Sequence, residues 1–345
     1  MNVIDLFSGA GGLSKGFENA GFNIVAGIDN NSQSLTTFSK NHFKSKTINF
    51  DLSQKIDFSS NLFSAINNLK VDVIIGGPPC QGFSVAGKRR ELDPRNTLYK
   101  TYLSFIKHFN PKLMVIENVP TIMSMFNGRI YEDIVFELEK LGYTTSAFIL
   151  DSSNYGVPQR RKRFFLMGTK SGKKIAEPKA SSNEKITVKD ALSDLPSLAN
   201  IIESKTYSSN PKNKYQKRMR INSFKLHNHW KVIHTEKTKK IISLVPDGGN
   251  YKDLPHHLRN TRKVHIAWTR MNSKEPCFTI DAGHNHHFHY KYNRVPTVRE
   301  CARIQSFSDD FIFYGTKTSQ YRQVGNAVPP ILAEVLAKKI KCELN

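Results

Sequence analysis

The chain has 345 residues, enough to bury a full hydrophobic core, and this length predicts one large domain with a smaller second one. Lys and Arg outnumber Asp and Glu by 51 to 29, so the formal net charge of +22 exceeds what solubility requires and indicates a polyanionic partner. The four cysteines are far apart and form no CxxC pair, which argues against a disulfide framework and against a cysteine zinc site.

At the amino terminus, MNVIDLF lacks the basic segment and the cleavage site of a signal peptide. No apolar run along the chain approaches the roughly 18 residues that a membrane helix needs. We therefore expect a cytoplasmic protein with no membrane partner.

The first 170 residues alternate short apolar runs with longer amphipathic stretches. The strand candidates are NVIDLF, NIVAGI, VDVIIGG, KLMVIEN and SAFILD, and the helix candidates cover about 12–20, 31–41, 60–69, 97–109 and 128–141. This alternation predicts an α/β fold with a doubly wound sheet, in which ligands bind at the carboxyl ends of the strands.

A glycine-rich turn, FSGAGG at 7–12, separates the first strand candidate from a helix. Such glycines let a cofactor approach the backbone, but their spacing departs from GxGxxG and argues against a pyrophosphate-binding dehydrogenase turn. Asp29 ends the second strand candidate twenty residues after Gly9, where an acid can hold ribose hydroxyls. Together these residues favour a nucleoside cofactor without a pyrophosphate. Asp51 could bind an adenine amino group, or could equally be an acid in a surface loop.

Cys80 lies in GGPPCQGFS, directly after the apolar run VDVII. A buried structural cysteine is the usual alternative, but the flanking prolines and glycines favour a thiolate presented toward a cleft. The next strand candidate ends at Glu117-Asn118, so a carboxyl group is expected at a neighbouring part of the same sheet edge. A thiol with a carboxylic acid suits attack on an electron-poor ring that is protonated as it is attacked.

From about residue 172 the pattern gives way to Lys, Ser, Asn and His, which predicts an irregular second domain. Residues 205–240 hold eleven Lys or Arg and one acid, and with the charge of the whole chain this run favours a polyanion-binding surface over a solvated face. Ten of the twelve histidines lie between His227 and His289. We predict no metal site there, because neither a carboxylate nor a helical histidine pair accompanies them. The final helical stretch, ILAEVLAKKIK, is expected to pack back on the sheet.

Several motifs in a fixed order make the chain resemble the bacterial DNA (cytosine-5)-methyltransferase family over nearly its whole length. They are DLFSGAGGLSKGFENAGF, GIDNN, NFDLS, GGPPCQGFS, ENV at 117–119, QRRKR at 159–163, RECARIQSF at 299–307 and QVGNAVPP at 323–330. The resemblance implies the Rossmann-like fold of class I S-adenosylmethionine-dependent methyltransferases. It predicts a catalytic and cofactor-binding domain over 1–171, a target-recognition domain over 172–298 and a return to the catalytic domain over 299–345.

The resemblance also implies S-adenosylmethionine as the cofactor. Its binding residues would be Phe7, Gly9, Gly11, Asp29, Asn30, Asp51, Leu52, Pro79, Leu98, Asn326 and Val328. Within this set Asp29 would take the ribose hydroxyls, Asp51 the adenine amino group, and the GNAV segment would close the pocket. Many relatives carry Glu in place of Asp29, so the shorter side chain keeps the charge and changes its reach.

The implied reaction methylates carbon 5 of a cytosine that is swung out of the duplex, because a stacked base cannot be attacked. The catalytic residues would be Cys80, Glu117, Asn118, Arg161 and Arg163. Cys80 would add to carbon 6, while Glu117 would hydrogen-bond ring nitrogen 3 and the exocyclic amine. Asn118 would position the catalytic loop, and the two arginines would hold the flipped nucleotide and that loop. An exposed basic strand end is the alternative for the arginines.

DNA contacts are expected from both predicted domains. The candidate residues are Ser84, Lys88, Arg89, Gln159 and Thr279. The first three belong to a stretch from Gln81 to about Asn96 that would close over DNA as a flap. Thr279 would grip the backbone beside the target, and the irregular domain would supply salt-dependent affinity and base recognition.

Two other functions stay open on the sequence. An RNA cytosine methyltransferase would share the fold, and Cys277-Phe278-Thr279 resembles an element of that branch. A non-catalytic DNA-binding regulator is less consistent with intact Cys80 and Glu117. The family resemblance implies a monomer that acts on double-stranded DNA in a restriction-modification system. A cognate restriction endonuclease would be its functional counterpart rather than a bound subunit.

Overall fold

The structure, a computed structural model, describes residues 1–79, 98–180, 184–259, 268–281 and 287–344. The chain divides into two compact units. The first unit comprises Met1–Asp151, Lys162–Ala180 and Leu332–Asn345, and the second comprises Ser152–Arg161 and Ser181–Ile331. Residues 299–331 therefore group with the second unit, although the sequence motifs predict that they belong to the return to the catalytic domain.

A seven-stranded sheet forms the centre of the first unit. Its strands are β1 (Asn2–Leu6), β2 (Asn23–Asp29), β3 (Lys46–Asn49), β4 (Val73–Gly76), β5 (Leu113–Asn118), β6 (Thr144–Asp151) and β7 (Lys162–Thr169). They lie in the order β3-β2-β1-β4-β5-β7-β6. Strands β1 to β5 are parallel, and β7 is antiparallel to both of its neighbours. This sheet confirms the predicted doubly wound α/β fold.

Between β1 and β6 the helices follow the strands in the predicted alternation. They are α1 (Gly12–Asn19), α2 (Ser32–Asn41), α3 (Ser64–Asn67), α4 (Leu98–Phe109), α5 (Arg129–Lys140), α6 (Val188–Leu192), α7 (Lys214–Met219), α8 (Glu236–Ser243), α9 (His256–Arg259), α10 (Val298–Ile304), α11 (Lys317–Asn326) and α12 (Pro330–Leu344). The candidate at 60–69 is reduced to α3, because turns precede it in which the carbonyls of Asp57 and Asn61 accept the N–H groups of Ser60 and Ser64.

Local sequence explains how the helices of the first unit begin and pack. Helix α2 begins after Asn31, whose side-chain oxygen accepts the N–H of Ser34 at 2.9 Å. Helix α12 packs against α1 at Gly16, where an added Cβ would lie 2.3 Å from the Cβ of Ala333. Glycine is therefore required at this close approach of two helices.

Buried ion pairs hold the second unit together. The guanidinium of Arg303 donates to Asp194 Oδ1 and to Asp309 Oδ2, each at 2.7 Å, and all three side chains are fully buried. Arg299 donates to the backbone carbonyls of Ser308 and Phe311 at 3.0 and 2.7 Å. Because a buried charge is costly without a partner, these contacts tie the RECARIQSF motif to this unit. They account for the grouping of residues 299–331. The unit also contains a short parallel pair, β8 (Thr269–Arg270) and β9 (His287–Phe288).

Neither a membrane segment nor a metal cluster is found in the part of the chain that the structure describes. None of the helices there combines the length and apolar composition needed to cross a membrane. Nor do the described residues include a group of three or more His, Cys, Asp or Glu placed to hold a metal ion. His284 and His286 of the histidine-rich segment lie outside the described residues.

Asp5 is a buried carboxyl group at the centre of the first unit. Its side chain is 1% exposed, and Ser14 Oγ donates to its Oδ2 at 2.6 Å. Burial raises the pKa of Asp5 to about 7, and the negative charges of Asp29 and Glu117 add to the increase. The hydrogen bond from Ser14 opposes these effects without cancelling them.

This raised pKa makes the stability of the fold depend on pH. Between the ordinary value of 3.8 and about 7 the folded state binds a proton that the unfolded chain has lost. Asp5 therefore lowers the free energy of unfolding progressively as the pH rises through that window. Asp5→Asn should abolish this loss. When the pH is raised from 4.5 to 8, the free energy of unfolding of the variant should therefore increase relative to that of wild type, by on the order of a few kcal/mol.

Urea unfolding followed by circular dichroism across this pH range measures the difference. Asp133→Asn, which changes an exposed carboxyl group on α5, is the matched control and should follow wild type. A stability difference between Asp5→Asn and wild type that stays constant with pH would contradict the prediction.

Candidate active site

The register of the parallel strands aligns four chain positions at one edge of the sheet. Leu6 of β1 pairs with Ile28 of β2 and with Gly76 of β4, and Gly76 pairs with Ile116 of β5. The next residue along each strand is therefore at the same level. These residues are Phe7, Asp29, Gly77 and Glu117. The sheet thus brings the predicted cofactor residues and the predicted catalytic carboxyl group to one edge.

Backbone hydrogen bonds hold the loop after β1 against the sheet. Phe7, Gly9 and Gly11 all have positive φ, at 57°, 53° and 91°. Ser8 N–H donates to the carbonyl of Ile28 at 3.1 Å, and Gly11 N–H donates to the carbonyl of Ser8 at 2.9 Å. A Cβ placed on Gly9 would meet no atom within 4 Å, so this part of the loop faces open space.

Asp29 is hydrogen-bonded to this loop. Its Oδ2 accepts the N–H of Gly9 at 2.9 Å, and its Oδ1 accepts the N–H of Asn31 at 2.8 Å. Burial raises the pKa of Asp29, against the lowering effect of these backbone donors. A carboxylate has about four acceptor positions, so Asp29 keeps capacity for a hydroxyl donor from a ligand.

The remaining predicted cofactor residues of the first unit lie at or near the same strand ends. Asn30 is exposed directly after β2. Asp51 is half-buried two residues after β3, and Ser53 N–H donates to its Oδ1 at 2.9 Å. Leu52 and Leu98 are buried, the latter as the first residue of α4, and Pro79 is half-buried three residues after β4.

Glu117 lies between a guanidinium and a glycine. Because β7 is antiparallel to β5, its first residues lie beside the end of β5, and Arg163 Nε is 2.9 Å from Glu117 Oε1. A Cβ on Gly77 would be 2.8 Å from Glu117 Oε2. The side chains of Glu117 and Arg163 are 13% and 15% exposed, so both groups remain accessible in part.

Glu117 and Arg163 are among the residues that the sequence predicts for the site, whereas Gly77 is not. The doublet Gly76-Gly77 before two prolines is the signal that could have identified this close approach. Asn118, at the end of β5, anchors the same loop: its Nδ2 donates to the carbonyl of Pro78 at 3.1 Å, and its Oδ1 accepts the N–H of Val119 at 2.8 Å. Cys80, Ser84, Lys88 and Arg89 lie outside the described residues.

Arg161 is buried in the second unit. Its guanidinium donates to the carbonyl of Gly325 at 2.8 Å and approaches the carbonyl of Ile280 at 3.5 Å. Only 2% of the side chain is exposed, so the alternative of an exposed basic strand end does not describe Arg161. Asn326 follows Gly325 and is exposed, and Val328 is buried.

Gln159 and Thr279 have different environments. Gln159 is fully buried: its Nε2 donates to Gln305 Oε1 at 2.5 Å, and its Oε1 accepts the N–H of Ile280 at 2.9 Å. Both ends of the amide are thus bonded inside the second unit, which is not the environment expected of a direct DNA contact. Thr279 is exposed, and its hydroxyl donates to the carbonyl of Arg160 at 2.9 Å.

Comparison with known proteins identifies the family of this chain. The model of the C-5 cytosine-specific DNA methylase family matches residues 1–342. The chain is 38% identical to the type II methyltransferase M1.HphI of Haemophilus parahaemolyticus, over 99% of this chain and 86% of that protein. It is also 38% identical to the type II methyltransferase M.DdeI of Desulfomicrobium norvegicum, over 99% of this chain and 88% of the relative.

Solved structures agree with this assignment. A crystal structure of a protein assigned as a DNA modification methyltransferase encoded within an E. coli prophage superposes with a TM-score of 0.83. The two chains are 28% identical, and the match covers 100% of this chain and 99% of the other. A crystal structure of Dnmt2 from Schizosaccharomyces pombe, at 17% identity and a TM-score of 0.63, shares the fold, with 100% of this chain and 99% of that one covered. The chain therefore belongs to the C-5 cytosine-specific DNA methylase family, and it is a DNA (cytosine-5)-methyltransferase.

Proposed function

We propose that the protein transfers a methyl group from S-adenosylmethionine to carbon 5 of a flipped-out cytosine, with Cys80 as the nucleophile and Glu117 as the group that binds the ring. The observation that carries this proposal is the position of Glu117. Its carboxylate contacts Arg163 and lies against Gly77, in the loop that leads to Cys80. Phe7 and Asp29, two of the expected cofactor residues, follow the neighbouring strands at the same level of the sheet edge.

The residues of the first unit fit S-adenosylmethionine. The open space before Gly9 accommodates a ligand against the backbone, and Asp29 retains acceptor capacity for a ribose hydroxyl. We assign Phe7, Gly9, Gly11, Asn30, Leu52, Pro79 and Leu98 to the walls of this site and Asp51 to the adenine amino group. On the family resemblance alone, we also assign Asn326 and Val328 to cofactor binding. When bound, the cofactor supplies an electrophilic methyl group.

The chain's own residues would perform the remaining chemistry. The Cys80 thiolate would add to carbon 6 of the cytosine, and the electron pair of the ring double bond would then become available at carbon 5. Glu117 would hydrogen-bond ring nitrogen 3 and the exocyclic amine, which stabilises charge that develops in the ring. After carbon 5 is methylated, a base removes its proton and the sulfur leaves carbon 6, which restores the double bond.

Arginine and asparagine side chains would position these groups. The contact with Arg163 fixes the direction of the Glu117 carboxylate, and Asn118 fixes the carbonyl of Pro78, two residues before Cys80. Arg161 would support the flipped nucleotide indirectly, because its guanidinium is bonded to the backbone around Gly325.

The finer biological setting is also proposed. We infer that the substrate is a specific duplex sequence, with Ser84, Lys88, Arg89 and Thr279 contacting DNA, and that Gln159 supports the segment that carries Thr279. Since the relatives M1.HphI and M.DdeI are named type II methyltransferases, we propose that the chain is the modification enzyme of a restriction-modification system. It would act as a cytoplasmic monomer, with a cognate endonuclease as a separate protein.

Substitution of the two proposed reacting residues separates chemistry from binding. Cys80→Ala and Glu117→Gln should each lower the rate of methyl transfer to duplex DNA by at least about a hundredfold, because each removes a group that acts in the transition state. Binding of S-adenosylhomocysteine and of DNA should stay within about threefold of wild type. Tritium transfer, calorimetry and gel mobility shift measure these quantities.

The matched controls are Cys342→Ala, which changes an exposed cysteine, and Glu139→Gln, which changes an exposed carboxyl group on α5. Both should retain wild-type rates. Retained turnover in Cys80→Ala would remove the covalent mechanism, and faster transfer to transfer RNA than to duplex DNA would favour an RNA substrate. Bisulfite sequencing of plasmid DNA from the expression host identifies the methylated sequence.

The charge run at 205–240 generates a prediction on DNA affinity. Its eleven Lys or Arg include exposed side chains on α7 and α8, so phosphate contacts should release counterions. The association constant for duplex DNA should fall by at least about tenfold between about 50 and about 200 mM salt. Fluorescence anisotropy with a labelled duplex measures this dependence. An affinity that is flat across this range would exclude phosphate contacts as the main source of binding.

A further inference from the structure

His42 is a buried side chain directly behind the glycine loop at 7–12. It caps the carboxyl end of α2, and only 1% of it is exposed. Its Nε2 lies 3.2 Å from the carbonyl oxygen of Gly11, and its Nδ1 lies 2.9 Å from Glu18 Oε1 on α1. The ring therefore links the end of α2 to the residue that precedes α1, Gly11, and to Glu18 in the last turn of α1.

The acceptor groups around the His42 ring indicate which hydrogen bonds it makes. A backbone carbonyl only accepts, so the ring nitrogen that faces Gly11 must carry a proton. The same carbonyl accepts the N–H of Lys15 at 2.8 Å, as the first hydrogen bond of α1. At the other side of the ring the Glu18 carboxylate faces Nδ1 at 2.9 Å. Lys15 Nζ lies 3.6 Å from Glu18 Oε2 and completes this small charged group.

Packing makes the contact specific to glycine. Gly11 has φ +91°, and a Cβ there would lie 2.3 Å from His42 Nε2 and 2.9 Å from Phe38 Cδ2. The rings of Phe38 and His42 pack with centroids 4.4 Å apart, and Phe38 in turn fills the space over Gly27 of β2. The loop is thus supported from behind at Gly11 and faces open space at Gly9, two residues earlier.

We propose that His42 and Glu18 are positioning residues that determine cofactor affinity without touching the cofactor. Their contacts hold the Gly11 peptide, which closes the turn that begins at Ser8. That turn directs the N–H of Gly9 toward Asp29. Loss of the His42 donor would release this peptide and broaden the conformations of the loop, so the ligand would have to order it on binding. The inference rests on the proposed cofactor site.

The test measures S-adenosylhomocysteine binding to the purified full chain by calorimetry, without DNA. His42→Ala and Glu18→Gln remove the donor and the charge of its partner, respectively. We expect the Kd to increase by at least about tenfold for His42→Ala and by about threefold or more for Glu18→Gln. His42→Gln, whose Nε2 can replace the ring donor, should recover to within about threefold of wild type. Phe43→Ala, a control at an adjacent 82% exposed side chain, should bind as wild type does.

Kinetics distinguish positioning from general destabilisation. In the positioning account KM for S-adenosylmethionine rises, while kcat and KM for DNA stay within about twofold of wild type. Thermal unfolding without ligand gives the folded fraction to which each Kd is corrected. A corrected Kd equal to that of wild type in His42→Ala would overturn the proposal. If that variant does not fold, unchanged binding by Glu18→Gln has the same consequence.

Asp29→Ala separates this proposal from the proposed cofactor site. If wild type binds the ligand and Asp29→Ala does not, the site stands, and the His42 and Glu18 variants alone decide the positioning role. If Asp29→Ala binds as tightly as wild type, the proposed site fails, and the positioning role fails with it.

Discussion

The parallel register of β2, β1, β4 and β5 is the constraint on which the site depends. It aligns the residues that follow Ile28, Leu6, Gly76 and Ile116, and so brings a cofactor loop and a carboxyl group to one level of the sheet. Successive strand residues point to opposite faces, so a slip of one residue would turn Glu117 away from Gly77. The buried apolar side chains of these strands fix that register, because a slip would expose them.

Close approach at this edge is possible only because several positions lack a side chain. A Cβ on Gly76 would be 2.4 Å from the carbonyl of Leu6, and a Cβ on Gly77 would be 2.8 Å from Glu117. Three acids lie near this edge, and Asp5 is close enough to Asp29 and to Glu117 for their charges to raise its pKa. Their environments differ: Asp5 is buried beneath Ser14, Asp29 accepts backbone N–H groups, and Glu117 is paired with Arg163. The same type of group can therefore serve stability, binding and chemistry in one unit.

Features set by short-range patterns were predictable from the sequence. Alternating apolar runs predicted the strands, and strand ends predicted Asp29 and Glu117 as site residues, because parallel strands deliver their carboxyl ends to one edge. Features that depend on distant partners were not predictable in this way. Gln159 stands beside two arginines in sequence, yet Gln305 and the backbone of Ile280 bury its amide. An arginine such as Arg303 is expected at the surface from the sequence alone, but in the structure it is buried and paired with Asp194 and Asp309.

The charge of the molecule and its chemistry belong to different parts of the chain. Acidic groups predominate at the strand ends, so the +22 net charge arises largely elsewhere in the chain. Residues 205–240, with eleven Lys or Arg and one acid, contribute a net charge of +10. Long-range attraction to a polyanion thus comes from charged side chains that need no exact geometry. Methyl transfer instead depends on a few side chains that the sheet holds in position. This division explains why composition alone indicated the partner but only the strand ends indicated the reaction.

The central claim is that the sulfur of Cys80 bonds transiently to carbon 6 of a cytosine. A duplex with 5-fluorocytosine at the methylated position tests it most directly, because fluorine cannot be removed as a proton and the bond to sulfur persists. With S-adenosylmethionine present, we predict a covalent complex that survives denaturation and whose modified peptide, by mass spectrometry, contains Cys80. A chain that methylates the unmodified duplex but forms no such complex, or forms it at Cys277, Cys301 or Cys342, would contradict the account.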